Sequence, residues 1–274
     1  VTSSALRYEV ALSAEQGHRE YQEDAIAARF SSRRDIGYVV VADGMGGHEA
    51  GDVASRLVAS SWSSVIDRRI SETEATESTL ADTLPLAAME ANAAIAAYIN
   101  DKQVSPDMGS TLLGTVFYEN RFYWISIGDS PLYLFRDGQL IQLNEDHSMG
   151  PDIDRLVIEG VLKPEEARHH PDRNCLTSAL MGAGISKVDC PEDPREVLPG
   201  DILLIASDGL QHLEPQEIET VLKKHQNESC QDILDQIMLA IRDANVPDQD
   251  NTSVAVVALK PPANAAYTPH TSNQ

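Results

Sequence analysis

Residues 111–142 read TLLGTVFYENRFYWISIGDSPLYLFRDGQLIQ. Four β-branched and aromatic runs lie within them, at 111–118, 121–127, 131–136 and a short 139–142. Asn120 and the Asp137-Gly138 pair are turn signals between runs so closely spaced. Such a pattern predicts an antiparallel meander. Working outward, 36–42 (IGYVVVA), 201–206 (DILLIA) and 252–259 (TSVAVVAL) are apolar runs of the kind expected of buried strands. Residues 8–15 and 25–31 also read as strands. Apolar or small residues at Ala54, Leu57, Val58, Ser61, Trp62, Val65 and Ile66 have helical spacing and predict a helix within 48–69. A second helix is predicted near 78–100, and two more at 215–226 and 229–244.

The strands come in consecutive runs, and the two longest helices are inserted as one pair. That order predicts an α+β fold of antiparallel sheets with segregated helix layers, rather than a parallel βαβ sheet. No strong linker interrupts the pattern, so a single domain is expected over 1–259, followed by a small, polar tail at 260–274 that is expected to be disordered. Residues 144–173 are polar and punctuated by Gly150-Pro151, Gly160, Pro164 and Pro171, which reads as a flap, centred on 146–172, with short helices near 152–159 and 164–168.

The composition removes several classes of function. The chain has 274 residues, 21 Lys+Arg and 43 Asp+Glu, a formal charge of −22. So acidic a surface repels the phosphate backbone of nucleic acids and anionic membranes alike. No apolar run reaches the ~20 residues that a bilayer span needs. The segment after Val1 lacks a basic start and an apolar stretch, so no secretory leader is expected. Cys175, Cys190 and Cys230 form an odd set with no CxxC spacing, which suits a reducing, cytoplasmic setting and offers no zinc or disulfide framework.

The chemistry is signalled by acids at strand ends. Strand 36–42 runs into Asp43-Gly44, 121–127 into Gly128-Asp129, and 201–206 into Ser207-Asp208-Gly209, while Asp250-Asn251 stands just before the last strand. In antiparallel sheets one strand's exit lies beside its neighbour's entrance, so these acids can meet at one edge, joined by Glu23-Asp24. Clustered carboxylates repel one another and take up protons unless a cation sits among them. With oxygen donors only, Mg²⁺ or Mn²⁺ fits better than Zn²⁺. Gly44-Met45-Gly46-Gly47 precedes a helix; it can cradle phosphate or let Asp43 and the Gly44 carbonyl approach a metal, and the adjacent acid favours the metal. Arg19, upstream of the Glu23-Asp24 pair, is a candidate to hold a phosphoryl group bidentately.

Arg19-Glu-Tyr-Gln-Glu23-Asp24, Asp43-Gly-Met-Gly-Gly-His48, Gly109-Ser-Thr-Leu112, Gly128-Asp129-Ser130, Asp146-His147-Ser148, Leu176-Thr-Ser-Ala-Leu180, Ser207-Asp208-Gly209-Leu210 and Asp250-Asn251-x-Ser253 follow one another along the chain. In this order they resemble the metal-dependent protein phosphatases, the type 2C serine/threonine phosphatases, in their bacterial form. The resemblance implies a four-layer α-β-β-α sandwich with two Mn²⁺ or Mg²⁺ ions at one sheet edge. Asp43 would bridge the ions. Asp208 and Asp250 would complete one site, and Glu23 with the Gly44 carbonyl would serve the other. Asp129 with Asp208 would hold a weaker third ion. Asp24 would orient a water at the metals, Arg19 would grip the phosphate, and a hydroxide activated by the ions would attack phosphorus without a phosphoenzyme. The implied substrate is a phosphorylated protein, with eukaryotic-like Ser/Thr kinases or their targets as inferred partners.

Several positions depart from the family pattern: Gln22 for Asn, and Pro131 and Ser178 where arginines are common. Met45 stands where eukaryotic relatives have a histidine proposed as general acid, which leaves His48 and His147 as candidates. The missing cations motivate a rival reading, a weak or inactive phosphoprotein-binding regulatory module of the same fold. Retention of mutually repelling acids argues against it. A cysteine phosphatase is excluded because Met181, Glu196 and Gln236, not arginine, stand six residues after the cysteines. Gly128-Asp-Ser-Pro-Leu132 is no nucleophile elbow, and no HExxH occurs.

Overall fold

The computed structural model describes residues 7–32, 35–47, 49–71, 77–102 and 107–260, without the side chain at 49. The tail expected to be disordered lies outside them, apart from its first residue, Lys260. In chain order the elements are β1 (Arg7–Glu15), β2 (Asp24–Phe30), β3 (Ile36–Met45), α1 (Glu49–Ser71), α2 (Glu77–Lys102), β4 (Gly109–Ser110), β5 (Leu112–Tyr118), β6 (Arg121–Ile127), β7 (Leu132–Arg136), β8 (Gln139–Gln142), α3 (Gly150–Ile158), α4 (Pro164–Arg168), β9 (Arg195–Glu196), β10 (Ile202–Ala206), a 3₁₀ turn (Asp208–His212), α5 (Pro215–His225), α6 (Cys230–Ala244) and β11 (Thr252–Lys260). One antiparallel sheet has the order β1-β11-β10-β7-β8. The other runs β2-β3-β5-β6-β9, with β4 paired to β3.

Side-chain alternation explains how runs with no polar face form antiparallel strands. Val39, Val41, Leu113, Phe117, Leu203, Ile205, Ala255 and Val257 fill the layer between the sheets. Their neighbours Tyr38, Val40, Ala42 and Val116 face outward onto α1 and α2, where Trp62, Ile66, Leu84 and Ile95 are buried. Leu204, Ala206, Val254 and Val256 face the other way, onto Ile218, Leu222, Ile233 and Ile237 of α5 and α6. The result is the α-β-β-α sandwich expected, with three apolar layers. Gly114 in mid-β5 has a packing reason: a Cβ there would lie 2.4 Å from the Trp62 ring. A glycine inside a strand costs roughly 1 kcal/mol, and burial of an indole in its place outweighs that.

Three boundaries differ from the sequence reading in ways that matter for the site. The strand expected at 25–31 starts at Asp24, and the one expected to end at 42 continues to Met45, because Gly44 and Met45 pair with Ser110 and Gly109. Asp24 and Asp43 are therefore ladder residues rather than loop residues. The strand expected at 111–118 is interrupted at Thr111, whose Oγ1 rather than its carbonyl accepts the Asp43 N–H at 2.9 Å. The two-residue strand β9, which pairs with the start of β6, had no signal.

Candidate metal and phosphoryl site

In the β2–β3 ladder Asp24 pairs directly with Asp43. Directly opposed residues share a face, and Asp43 has the same parity as Val39 and Val41. Both carboxyls thus continue the inter-sheet layer to its open end. Ser207, in step with Leu203 and Ile205, and Ser253, in step with Ala255 and Val257, bring the other sheet's polar groups to the same end. Ser207 Oγ donates to Asp24 Oδ2 at 2.6 Å and accepts from the Ser253 N–H at 2.9 Å. An apolar seam is thereby closed by a polar mouth, across which the two sheets are hydrogen-bonded.

The remaining acids arrive on strand termini. Asp208 opens the 3₁₀ turn after β10, and Gly209 lets that turn press on β11, where a Cβ would lie 2.1 Å from the Asn251 carbonyl oxygen. Asp250 precedes β11, and its N–H donates to His212 Nε2 at 2.9 Å. Asp129 follows Gly128, whose φ of +112° only glycine adopts easily. Glu23 is fixed by its backbone: its N–H donates to Asn251 Oδ1 at 2.7 Å and its carbonyl accepts from Gly44. The Asn251 amide also donates to the carbonyls of Gln16 and Tyr21, so one side chain moors the whole 16–23 loop. Gly44 and Gly51 allow α1 to sit against this strand end, and a Cβ on Gly51 would lie 2.4 Å from Glu23 Oε1.

Burial and mutual repulsion raise the acids' pKa values together. Burial pushes Asp24 up to about 7, reinforced by Asp208 and Asp250 and opposed by the Ser207 hydrogen bond. Burial and then Asp208 and Asp146 push Asp129 up to about 8. Asp43 is held well above the carboxylate range by burial and by the charges of Asp208, Asp24 and Asp129. Asp208 is raised by burial and Asp250, and its carboxyl lies within hydrogen-bonding reach of Asp43.

The donor set fits a hard divalent cation. Asp24 Oδ1 and Asp208 Oδ1 are buried and accept no hydrogen bond among the described residues. Every donor at the mouth is oxygen, as Mn²⁺ and Mg²⁺ prefer. Among the described residues no three His, Cys, Asp or Glu side chains form a ready-made metal-binding group. A site of this kind does not require one, because Mg²⁺-like ions usually keep several waters and take few protein ligands.

Arg19 reaches the mouth, its guanidinium 2.5 Å from Asp250 Oδ2 and its side chain 54% exposed. A cavity of about 750 Å³ opens beside Asp208 and Asp250 and is also lined by residues around α4. His147 is buried. Its N–H donates to the Gly128 carbonyl, its Nδ1 accepts from the Gly128 N–H, and burial lowers its pKa, so it is a staple for the Asp129 turn. His48 lies outside the described residues. Ser178, where the family often has arginine, is buried and bridges both backbone groups of Lys187. Pro131 accepts from the Ala206 N–H. Thr111 and His212, which accept from the N–H groups of Asp43 and Asp250, were not singled out from the sequence; Ser207 and Ser253 entered only within the quoted motifs, one residue before Asp208 and three after Asp250.

The profile of a family described as protein phosphatase 2C matches residues 16–250. Serine/threonine protein phosphatase PstP of Mycobacterium tuberculosis is 35% identical over 213 residues, 72% of this chain and 39% of that protein. The chain thus spans about two fifths of that relative's length. Serine/threonine phosphatase stp of Listeria monocytogenes is 34% identical over 210 residues, 75% of this chain and 79% of that protein. Among solved structures, the catalytic domain of PstP in complex with two manganese ions is similar, with a TM-score of 0.71 and 29% identity over 93% of this chain and 100% of that one.

Proposed function

This chain belongs to the protein phosphatase 2C family, and we propose that it hydrolyses phosphoserine and phosphothreonine in proteins with the help of two Mn²⁺ or Mg²⁺ ions. The observation that carries this reading is the convergence of Asp24, Asp43 and Asp208 at the mouth between the sheets, Asp24 buried and the other two half-buried, all with raised pKa values. Asp43 would be shared by both ions, with Asp208 and Asp250 on one side, Glu23 and the Gly44 carbonyl on the other, and Asp129 with Asp208 available to a third. When bound, the ions supply the positive charge that steadies these acids, attract the phosphoryl group and ease deprotonation of water.

The chain's own groups do the rest. Asp24 has one oxygen committed to Ser207 and the other open, so Oδ1 is placed to take a hydrogen bond from the attacking water and align it. Arg19 exchanges its Asp250 partner for two phosphoryl oxygens, steadying the equatorial charge that develops during in-line attack. We take residues 1–259 as one catalytic domain, with 146–172 as the flap over its entrance. Its protein substrates include, on this reading, eukaryotic-like Ser/Thr kinases or their targets, met in the cytoplasm.

The test is hydrolysis of p-nitrophenyl phosphate and of a phosphothreonine peptide with Mn²⁺, with Mg²⁺ and with EDTA. Turnover that needs the metal and vanishes in Asp208→Ala is expected. Mn²⁺ binding without turnover of any phosphorylated compound overturns the proposal in favour of a binding module.

A further inference from the structure

The 750 Å³ cavity that Asp208 and Asp250 line is also lined by Arg168, His169, Arg173 and Asn174. This placement is unusual in so acidic a chain, and the cations differ in what holds them. Arg173 makes two hydrogen bonds to Asp154, at 2.7 and 2.9 Å, and is spoken for. His169 Nδ1 faces the Glu165 carbonyl at 2.9 Å. Arg168, the last residue of α4, is exposed and makes no ion pair among the described residues. Its backbone is nevertheless fixed, because Ala167 beside it is buried and the Ala167 N–H and C=O bond Lys163 and His170.

Two of the acids lining the cavity are engaged: Asp154 is paired with Arg173, and Asp146 Oδ1 accepts from the Ser148 N–H. Glu214 is fixed through its backbone at the start of α5, its N–H donating to Glu217 Oε2. Asp208 and Asp250 belong to the proposed cation site. Arg168 is thus a cation without an ion-pair partner among the described residues, in a space large enough for a substrate side chain. We propose that Arg168 forms a second anion subsite that selects phosphoproteins carrying a further negative group, a carboxylate or a second phosphate, within a few residues of the phosphate to be removed. A guanidinium suits both anions because its paired N–H groups match two oxygens at once.

This inference rests on the phosphatase reading, and its test separates the two. Four phosphothreonine peptides differing only in flanking residues (alanine, glutamate, a second phosphothreonine or lysine) are compared with p-nitrophenyl phosphate in the Mn²⁺-loaded protein, its Arg168→Ala variant and its Arg168→Lys variant. The native chain is expected to favour an anionic flank over alanine by roughly 5- to 10-fold in kcat/KM, mostly through KM. The larger of the glutamate and phosphate ratios identifies which anion is read. Arg168→Ala brings both ratios to ~1 while p-nitrophenyl phosphate turnover is unchanged, and Arg168→Lys keeps part of the preference. A native chain indifferent to the flank, a preference that survives Arg168→Ala, or a preference for lysine overturns the subsite and leaves the phosphatase standing. No turnover even of p-nitrophenyl phosphate overturns both.

Discussion

Asp24 and Asp43 face each other across the β2–β3 ladder with both carboxyls at the end of an apolar seam. Two acids in register on one face are destabilising for an isolated sheet. Their placement makes sense if the fold gives up stability here in exchange for a cation site. Burial raises Asp24 to about 7 and Asp129 to about 8, above their unfolded value of 3.8. The folded chain therefore binds more protons than the unfolded one between about pH 4 and 8, and the stability these groups contribute below pH 4 is lost as pH rises through that window. In EDTA, the melting temperature should be lower at pH 8 than at pH 5, by roughly 5 °C or more. Saturating Mn²⁺ should flatten or reverse the trend. Thermal melts by circular dichroism across this range decide it, and equal melting temperatures with EDTA and Mn²⁺ at pH 8 would count against the cation site.

Asp208 should show opposite signs for stability and activity. Asp208→Asn keeps the side chain's shape while removing a charge that raises Asp43, Asp24 and Asp129. The metal-free variant should melt higher than the native chain at pH 8, while metal-dependent turnover falls by at least ~10³-fold. Calorimetry and initial rates on the same preparation check both. A metal-free variant that melts lower than the native chain would mean that the acids are held by something other than a cation.

Arg19 should act on substrate binding. Arg19→Ala is expected to raise KM for a phosphopeptide by ~10-fold or more, with a smaller fall in kcat, because the guanidinium meets the phosphate before chemistry begins. An unchanged KM with a collapsed kcat would reassign it to the transition state alone.

Gly114 separates folding from function. Its missing side chain makes room for Trp62 on the helix-facing side of the sheet, away from the inter-sheet layer that ends in the mouth, and Gly114→Ala places a methyl 2.4 Å from the indole. Unfolding in urea should show a loss of about 1–3 kcal/mol, with kcat/KM preserved at low temperature. Unchanged stability would mean that α1 can shift away without cost.

Much of the fold was legible because a strand buried on both faces must be apolar throughout, and 36–42, 121–127, 201–206 and 252–259 are such runs. Acids were legible for the complementary reason: an Asp that ends an apolar run lies where the seam opens. The pairings that hold the acids were not legible. Ser207 meets Asp24, 183 residues away in sequence, and Asn251 meets Glu23 across 228. No local periodicity encodes such contacts. Strand β9 escaped notice because two residues carry no alternation, and Arg168 because an exposed arginine acquires meaning only from the groups that leave it unpaired.

The mooring of the 16–23 loop by Asn251 makes that loop one mechanical unit. Arg19 and Glu23 are spaced along one tether, held by the Asn251 carboxamide and by the bonds of His18 to Gln249 and Pro247, so slack at the carboxamide loosens both together. Wear at position 251 would mimic a simultaneous loss of grip on two different reactants, and a lineage could tune turnover from there while leaving every charged group in place.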